Sequence, residues 1–215
     1  EAKDTETSKT TPFAGLTVDL DENYSAYASY GEIFSEQGQM DIDNQLVGPI
    51  TGDSLEAGVK GEWLDGRLNA SAALFKMNQN NLAEYAGYNP NTGLSYYRGE
   101  DASSEGIELT VAGALNDIWQ VFGGYTHLNI TGDGEQDART YVPRDMLRIS
   151  TTVLIPQIEG LKLGAQFSWQ GDIERAQGEL DLDGDEIISR QQSYALLGLT
   201  ASYSLTSQWT ISANI

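Results

Sequence analysis

The sequence predicts an all-β fold, namely a portion of an antiparallel transmembrane β-barrel with about ten strands. Apolar and polar residues alternate with a period of two in long segments, as expected of strands that have one apolar face. The connections between these segments switch between short turns and long loops. Aromatic residues lie near both ends of the segments, as in the girdles of membrane barrels.

The stretch from Ser54 to Asn80 shows the pattern most clearly, as two strands joined at Asp65-Gly66-Arg67. The apolar face of its first strand carries Leu55, Ala57, Val59, Gly61 and Trp63, and the polar face carries Glu56, Gly58, Lys60 and Glu62. Soluble strands are about five or six residues long, whereas a tilted membrane strand needs roughly nine to eleven. Both strands reach the membrane length, so the charged face is predicted to point into a barrel.

The remaining strands and loops are predicted from the same alternation and from turn residues. Strands are predicted at residues 12–20, 24–34, 105–115, 118–130, 146–156, 160–170, 193–205 and 209–215. Long loops rich in Gly, Asn, Asp or charged residues are predicted at residues 35–53, 81–104, 131–141 and 171–192. Because short and long connections alternate, the short turns lie at one end of the strands and the long loops at the other.

Aromatic residues mark the two ends of the predicted strands. Trp63, Trp119, Tyr203 and Trp209 lie beside short turns, and Tyr30, Tyr125, Trp169 and Tyr194 lie near long loops. This distribution fits two membrane interfaces, although aromatics are also common in ordinary sheets.

Composition narrows the possible functions. The 215 residues contain no Cys, so disulfides and Cys-based sites contribute nothing within them. Lys and Arg number 12 against 32 Asp and Glu, a net charge of −20. Binding to nucleic acid is excluded because phosphate recognition requires clustered basic groups. Many acids fall in the predicted loops, where they keep the surface solvated.

Several segments together resemble the barrel of TonB-dependent ferric-siderophore receptors of Gram-negative outer membranes. They are TPFAGLTVDLDENYSAYASYGEIF, GPITGDSLEAGVKGEWLDGRLNASAALFKMNQNNLAE, SSEGIELTVAGALNDIWQVFGGYTHLNI, VPRDMLRISTTVLIP and WTISANI. The part ITGDSLEAGVKGEWLDGRLNASAALF is the most specific, because alternation alone does not dictate its Gly, Glu and Asn positions. The resemblance covers nearly the whole chain in the family's order.

The resemblance implies a barrel of about 22 strands, closed by an N-terminal plug, that imports ferric siderophores with energy from TonB. Residues 1–215 would be a C-terminal portion of that barrel, with the plug, the earlier strands and the final strand outside it. The implied partners are a ferric siderophore, TonB acting through the plug, and outer-membrane lipid and lipopolysaccharide. No enzymatic residue and no cofactor are expected, and the short turns would be periplasmic and the long loops extracellular.

Candidate ligand contacts lie in the second long loop. Tyr85, Tyr88, Tyr96, Tyr97 and Arg98 form an aromatic and basic cluster suited to stacking on an anionic chelate and neutralising it. No family motif coincides with these positions. The charged residues predicted to face the lumen are Glu56, Lys60, Glu62, Glu108, Arg148 and Lys162, which are able to pair with one another, with the plug or with a ligand.

Metal binding is considered at two places. Asp181, Asp183 and Asp185 resemble the start of a calcium-binding loop, with acids at positions one, three and five. Glu186 and Gln192 replace the Gly and the bidentate Glu that such a loop needs at positions six and twelve, which favours an acidic surface loop. His127 is the single histidine and is predicted to be an interfacial residue without a metal.

Two other classes of protein remain open at this stage. A passive or structural outer-membrane barrel shares the periodicity but lacks a plug. A soluble secreted β-protein that binds sugar or calcium through acidic loops shows similar alternation in its sheets.

Overall fold

The computed structural model describes residues 9–180 and 184–215, which form twelve strands and one short 3-10 turn at Asp133–Glu135. The first six strands are β1 (Phe13–Asp19), β2 (Tyr24–Ser35), β3 (Ile50–Trp63), β4 (Leu68–Tyr88), β5 (Ser95–Ala114) and β6 (Trp119–Gly132). The others are β7 (Asp145–Leu154), β8 (Leu161–Gln170), β9 (Ile173–Leu180), β10 (Glu186–Gln191), β11 (Tyr194–Ser204) and β12 (Thr210–Asn214). No helix among the described residues is long and apolar enough to cross a membrane.

Ten strands form one antiparallel sheet in the order β1 to β8, then β11 and β12. Each strand except β11 follows its neighbour directly in the chain. β9 and β10 form a separate two-stranded hairpin between β8 and β11. The first and last strands each have an unpaired edge among the described residues, so the sheet is open.

The register of the sheet confirms the predicted faces. Val59 lies opposite Ala72, which lies opposite Leu109, so these three apolar residues share one face. The next row, Lys60, Ser71 and Thr110, shares the other face. There the hydroxyls of Ser71 and Thr110 lie 2.6 Å apart and form a hydrogen bond.

The apolar face of the sheet is exposed, which is the reverse of a soluble sheet. On the apolar face the exposed fraction reaches 54% for Leu55 and 61% for Leu74. The apolar residues that are buried in the described part of the chain are Ala73, Leu82 and Ile130, and by register they all lie on the polar face. Water cannot be the solvent of the first face, because that much contiguous apolar surface marks contact with lipid or another protein.

The prediction of a loop at residues 81–104 is wrong for most of its length. β4 and β5 continue as a paired hairpin to a turn around residues 89–94, with irregular register between Gln79 and Leu82 and between Tyr85 and Gly87. Asn81 has a left-handed backbone with φ of 63°, as a bulge requires. Polar strands outside lipid need no apolar alternation, so periodicity alone missed them.

The predicted loop at residues 171–192 is likewise partly a hairpin, formed by β9 and β10. The predicted tight turn at residues 65–67 is confirmed, and its left-handed residues include Leu64, Asp65 and Gly66. The loops at residues 36–49 and 133–144 agree with the prediction to within a few residues.

Candidate functional site

The wall formed by the polar face carries an interlocked group at Tyr27. Its hydroxyl donates a hydrogen bond to Glu56, and the Lys60 ammonium lies 4.4 Å from the centre of the ring. The ring covers Gly58, where an added Cβ would come within 2.8 Å of it. Tyr27 is therefore held flat against the wall by a hydrogen bond, a cation–π contact and a residue without a side chain.

The six charged residues predicted to face the lumen do share one face of the sheet. Within the described part of the chain, Glu62, Arg148 and Lys162 form no ion pair. Their charges are therefore available to interact with water or with groups outside these residues. Pairing with a plug or a ligand stays a prediction.

A cleft of about 300 Å³ opens at the end of the strands that bears the long loops. It lies between the outer part of the β4–β5 hairpin and the loop at residues 133–144. Glu84, Arg98, Glu100, Asp137, Arg139 and Tyr141 are among the polar residues that line it.

An ion pair crosses this cleft from one side to the other. The Arg139 Nε donates to Glu84 Oε1 at 2.7 Å, and its Nη2 contacts the same oxygen. Both side chains are only 26% exposed, so the pair is less screened than a surface pair. Tyr141 also donates to Glu84, at 3.4 Å, and burial raises the pKa of the Tyr141 hydroxyl.

The sheet divides the predicted aromatic cluster. Tyr85 makes edge-to-face contacts with Tyr88 and with Tyr97, each with ring centres 6.2 Å apart. By strand alternation, Tyr96 and Arg98 lie on the opposite side from Tyr97. Arg98 donates to Glu100 at 2.6 Å, so its charge is already compensated.

Side-chain hydrogen bonds hold the loop at residues 36–49 against the β4–β5 hairpin. Asn81 donates to the carbonyls of Val47 and Pro49 at 3.0 and 3.1 Å, and Gln37 donates to the Asn81 carbonyl at 2.6 Å. Sequence reasoning did not select Gln37, Asn81, Glu84 or Arg139. The one available signal was that Asn tolerates the left-handed conformation found at Asn81.

Known proteins with the same pattern place this fold in a family. The family described as TonB dependent receptor-like, beta-barrel, matches residues 1–215. The chain belongs to the TonB-dependent receptor β-barrel family. The ferripyoverdine receptor of Pseudomonas aeruginosa is 35% identical over 98% of the chain and 27% of its own length.

Solved structures agree with this assignment. The outer-membrane receptor of P. aeruginosa bound to ferripyoverdine superposes with a TM-score of 0.80 at 34% identity, covering 95% of this chain and 28% of that one. The alcaligin outer-membrane receptor of Bordetella pertussis superposes with a TM-score of 0.67 at 32% identity, covering 95% and 34%. The predicted fold, a partial antiparallel barrel in a Gram-negative outer membrane, is confirmed, and the apolar face is the face that meets lipid.

This receptor segment spans little more than a quarter of the length of the relatives it matches. Its orientation follows from the barrel architecture, in which short turns face the periplasm and long loops the exterior. The cleft and the Glu84–Arg139 ion pair are therefore extracellular.

His127 lies on the lipid-facing side of the receptor wall near its extracellular end. Its Nδ1 lies 2.8 Å from Asp145 Oδ1, which also accepts a hydrogen bond from the Tyr125 hydroxyl at 2.7 Å. Tyr125 was predicted to lie at this membrane interface, and the structure gives it and His127 a shared polar partner there.

The predicted calcium ligands Asp181 and Asp183 lie outside the described residues. Asp185 lies within them, just before β10. Among the described residues, no group of three or more His, Asp or Glu side chains is arranged to hold a metal ion. Calcium binding by this receptor loop stays a prediction.

Proposed function

We propose that the receptor containing these residues imports ferric siderophores across the outer membrane with energy supplied through TonB. The observation that carries the proposal is similarity along the whole chain to receptors for such chelates. In this proposal the segment forms the C-terminal part of the barrel wall. A plug, earlier strands and a final strand, outside residues 1–215, complete the receptor.

The segment contributes to the barrel wall and to its extracellular opening. The polar face lines the passage, where Glu56, Lys60 and Tyr27 form a fixed surface against which a plug would pack. The relatives are receptors and not enzymes. We therefore propose that no residue of this segment is catalytic and that none holds a resident cofactor.

The ligand contacts that we propose are the exposed rings of Tyr85 and Tyr88 and the half-buried ring of Tyr97, with Tyr96 and Arg98 on the opposite side of the hairpin. Aromatic faces offer stacking surface to a chelate without needing a particular charge. Arg98 would need to leave Glu100 in order to neutralise an anion, which makes stacking the larger contribution.

The transport proposal is tested in cells that lack every other siderophore receptor. Uptake of radioactive iron is measured for a panel of ferric hydroxamate, catecholate and carboxylate siderophores, with the full-length gene present or deleted. We expect at least one chelate to enter only with the gene, and only when TonB is present.

Deletion of TonB separates this proposal from the alternative of a passive barrel. Uptake that persists without TonB would contradict the proposal and support diffusion through an open pore. If no chelate in the panel depends on the gene, siderophore import is contradicted.

The ligand proposal has its own test, made once a transported chelate is known. Tyr85→Ala and Tyr97→Ala should each weaken its binding by about fivefold or more, because loss of a stacking partner costs roughly 1 kcal/mol. Tyr203→Ala, at the periplasmic end, is the matched control and should leave affinity unchanged. If all three variants bind the chelate equally well, the aromatic cluster is not part of the binding site.

A further inference from the structure

Three extracellular segments of the chain meet at residues 139–141. They are the outer part of the β4–β5 hairpin, the loop at residues 133–144, and the β9–β10 hairpin. Arg139, Thr140 and Tyr141 belong to the middle segment and contact the other two.

Arg139 and Tyr141 connect the loop to the β4–β5 hairpin. Both bind the Glu84 carboxylate, and the Arg139 pair is half-buried at the cleft. Two guanidinium N–H groups on one carboxylate oxygen form a charge-assisted contact, which is stronger than a neutral hydrogen bond. Opening the cleft requires this contact to break.

Thr140 connects the same loop to the β9–β10 hairpin. Its hydroxyl donates to the Glu174 carbonyl at 2.9 Å, and the Glu174 N–H donates to the Thr140 carbonyl at 3.1 Å. The Arg175 guanidinium lies 5.5 Å from the centre of the Tyr141 ring, which adds a cation–π contact. Glu174 is in turn bound by Arg190 of β10 at 3.1 Å.

Arg139 adopts a strained backbone conformation in this arrangement. Its φ is 52°, a left-handed conformation that costs free energy in residues other than Gly because their Cβ crowds the backbone. The turn closes with a hydrogen bond from the Val142 N–H to the Arg139 carbonyl at 2.9 Å. Gly or Asn would adopt this conformation more easily, and the charge-assisted contact of Arg139 with Glu84 is strong enough in kind to offset part of the cost.

We propose that Glu84, Arg139 and Tyr141, together with the Thr140–Glu174 bonds, form a clasp that makes these three extracellular segments open and close as one unit. The clasp does not depend on what the receptor transports. It assigns Arg139 a positioning role, because its guanidinium acts on the β9–β10 hairpin through the loop and not by direct contact.

The test measures amide hydrogen exchange in the full-length receptor embedded in lipid nanodiscs. The variants are Glu84→Gln, Arg139→Gln and the double variant. The control is Lys76→Gln, which removes an exposed ion pair between Lys76 of β4 and Glu105 of β5. The decisive region is residues 173–177, which do not touch Glu84.

Each single variant should raise exchange at residues 173–177 by about fivefold or more, the lower end of typical coupling between sites. The double variant should match the single variants, because each single substitution already removes the ion pair between Glu84 and Arg139. Lys76→Gln should exchange like the wild type. Faster exchange confined to residues 133–144, or additive effects of the two substitutions, would overturn the clasp.

A second experiment covers the case in which a variant fails to insert. Glu84→Cys and Arg139→Cys are introduced together in a receptor without other cysteines, and a short bis-maleimide joins the two thiols. The covalent link should lower exchange at residues 173–177 relative to the uncrosslinked protein. Protection that stops at residue 144 would show that the hairpin moves independently and would contradict the proposal.

Discussion

The membrane-spanning part of the sheet and its extracellular continuation follow different rules. In the spanning part, side chains alternate between lipid and lumen along each strand, and Leu55, Val59 and Leu74 are exposed on one face. Beyond Asn80 the register is irregular and side-chain hydrogen bonds hold the chain together. Lipid imposes a period of two on a strand, whereas water accepts any paired strand whose polar groups are satisfied.

The largest effect should come from charging the lipid face. Val59→Arg in the full-length receptor is expected to lower the free energy of unfolding by about 2–4 kcal/mol, because it places a cation near the bilayer midplane. Ser71→Arg, on the lumen face of the adjacent strand, should cost far less, since water solvates it. Denaturant unfolding in lipid vesicles measures both, and equal costs would contradict the assignment of the faces.

A backbone substitution in the spanning part ranks second. Gly113 has φ of 144°, and a Cβ there would lie 2.0 Å from the Arg67 carbonyl oxygen. Gly113→Ala should therefore cost about 1–3 kcal/mol of stability. The control is Gly124→Ala, where the nearest atom, the Leu109 carbonyl oxygen, is 4.0 Å away. If both substitutions cost the same, close strand packing at Gly113 does not explain the loss.

The extracellular part should respond locally. Asn81→Ala removes two side-chain hydrogen bonds to the loop at residues 36–49 and places Ala in a left-handed conformation. Together these changes should lower the local stability of the packed loop by about 1–2 kcal/mol. We expect faster proteolysis of that loop without a change in the unfolding transition of the barrel. A shifted barrel transition would mean that the two parts are not independent.

The smallest effect is expected at the exposed ion pair of Arg98 and Glu100. The Arg98 side chain is 72% exposed, so Arg98→Gln should change stability by less than about 1 kcal/mol. Its effect on binding a transported siderophore is the informative measurement. A loss of affinity for an anionic chelate would support the predicted neutralising role of Arg98. Unchanged affinity would contradict that role and indicate that the tyrosine rings bind the chelate by stacking.

The same contrast explains what the sequence could predict. The alternation around Val59, Leu109 and Leu163 was sufficient to place the strands, the faces and the short turns. The Glu84–Arg139 contact joins residues 55 positions apart, and neither residue lies in an alternating segment. Polar contacts of this kind depend on loop geometry that period and propensity do not encode, so the extracellular site emerged only from the structure.

Site-directed labelling shows whether one face of this sheet meets lipid and the other a wet lumen. Single cysteines at Val59, Leu109 and Thr110 of the full-length receptor are probed in membranes with a water-soluble thiol reagent and with lipid-borne quenchers. Cysteines at positions 59 and 109 should resist the reagent and be quenched from the lipid. A cysteine at position 110 should react with the reagent and should not be quenched. Quenching at position 110, with reagent access at positions 59 and 109, would reverse the assignment of the lipid and lumen faces.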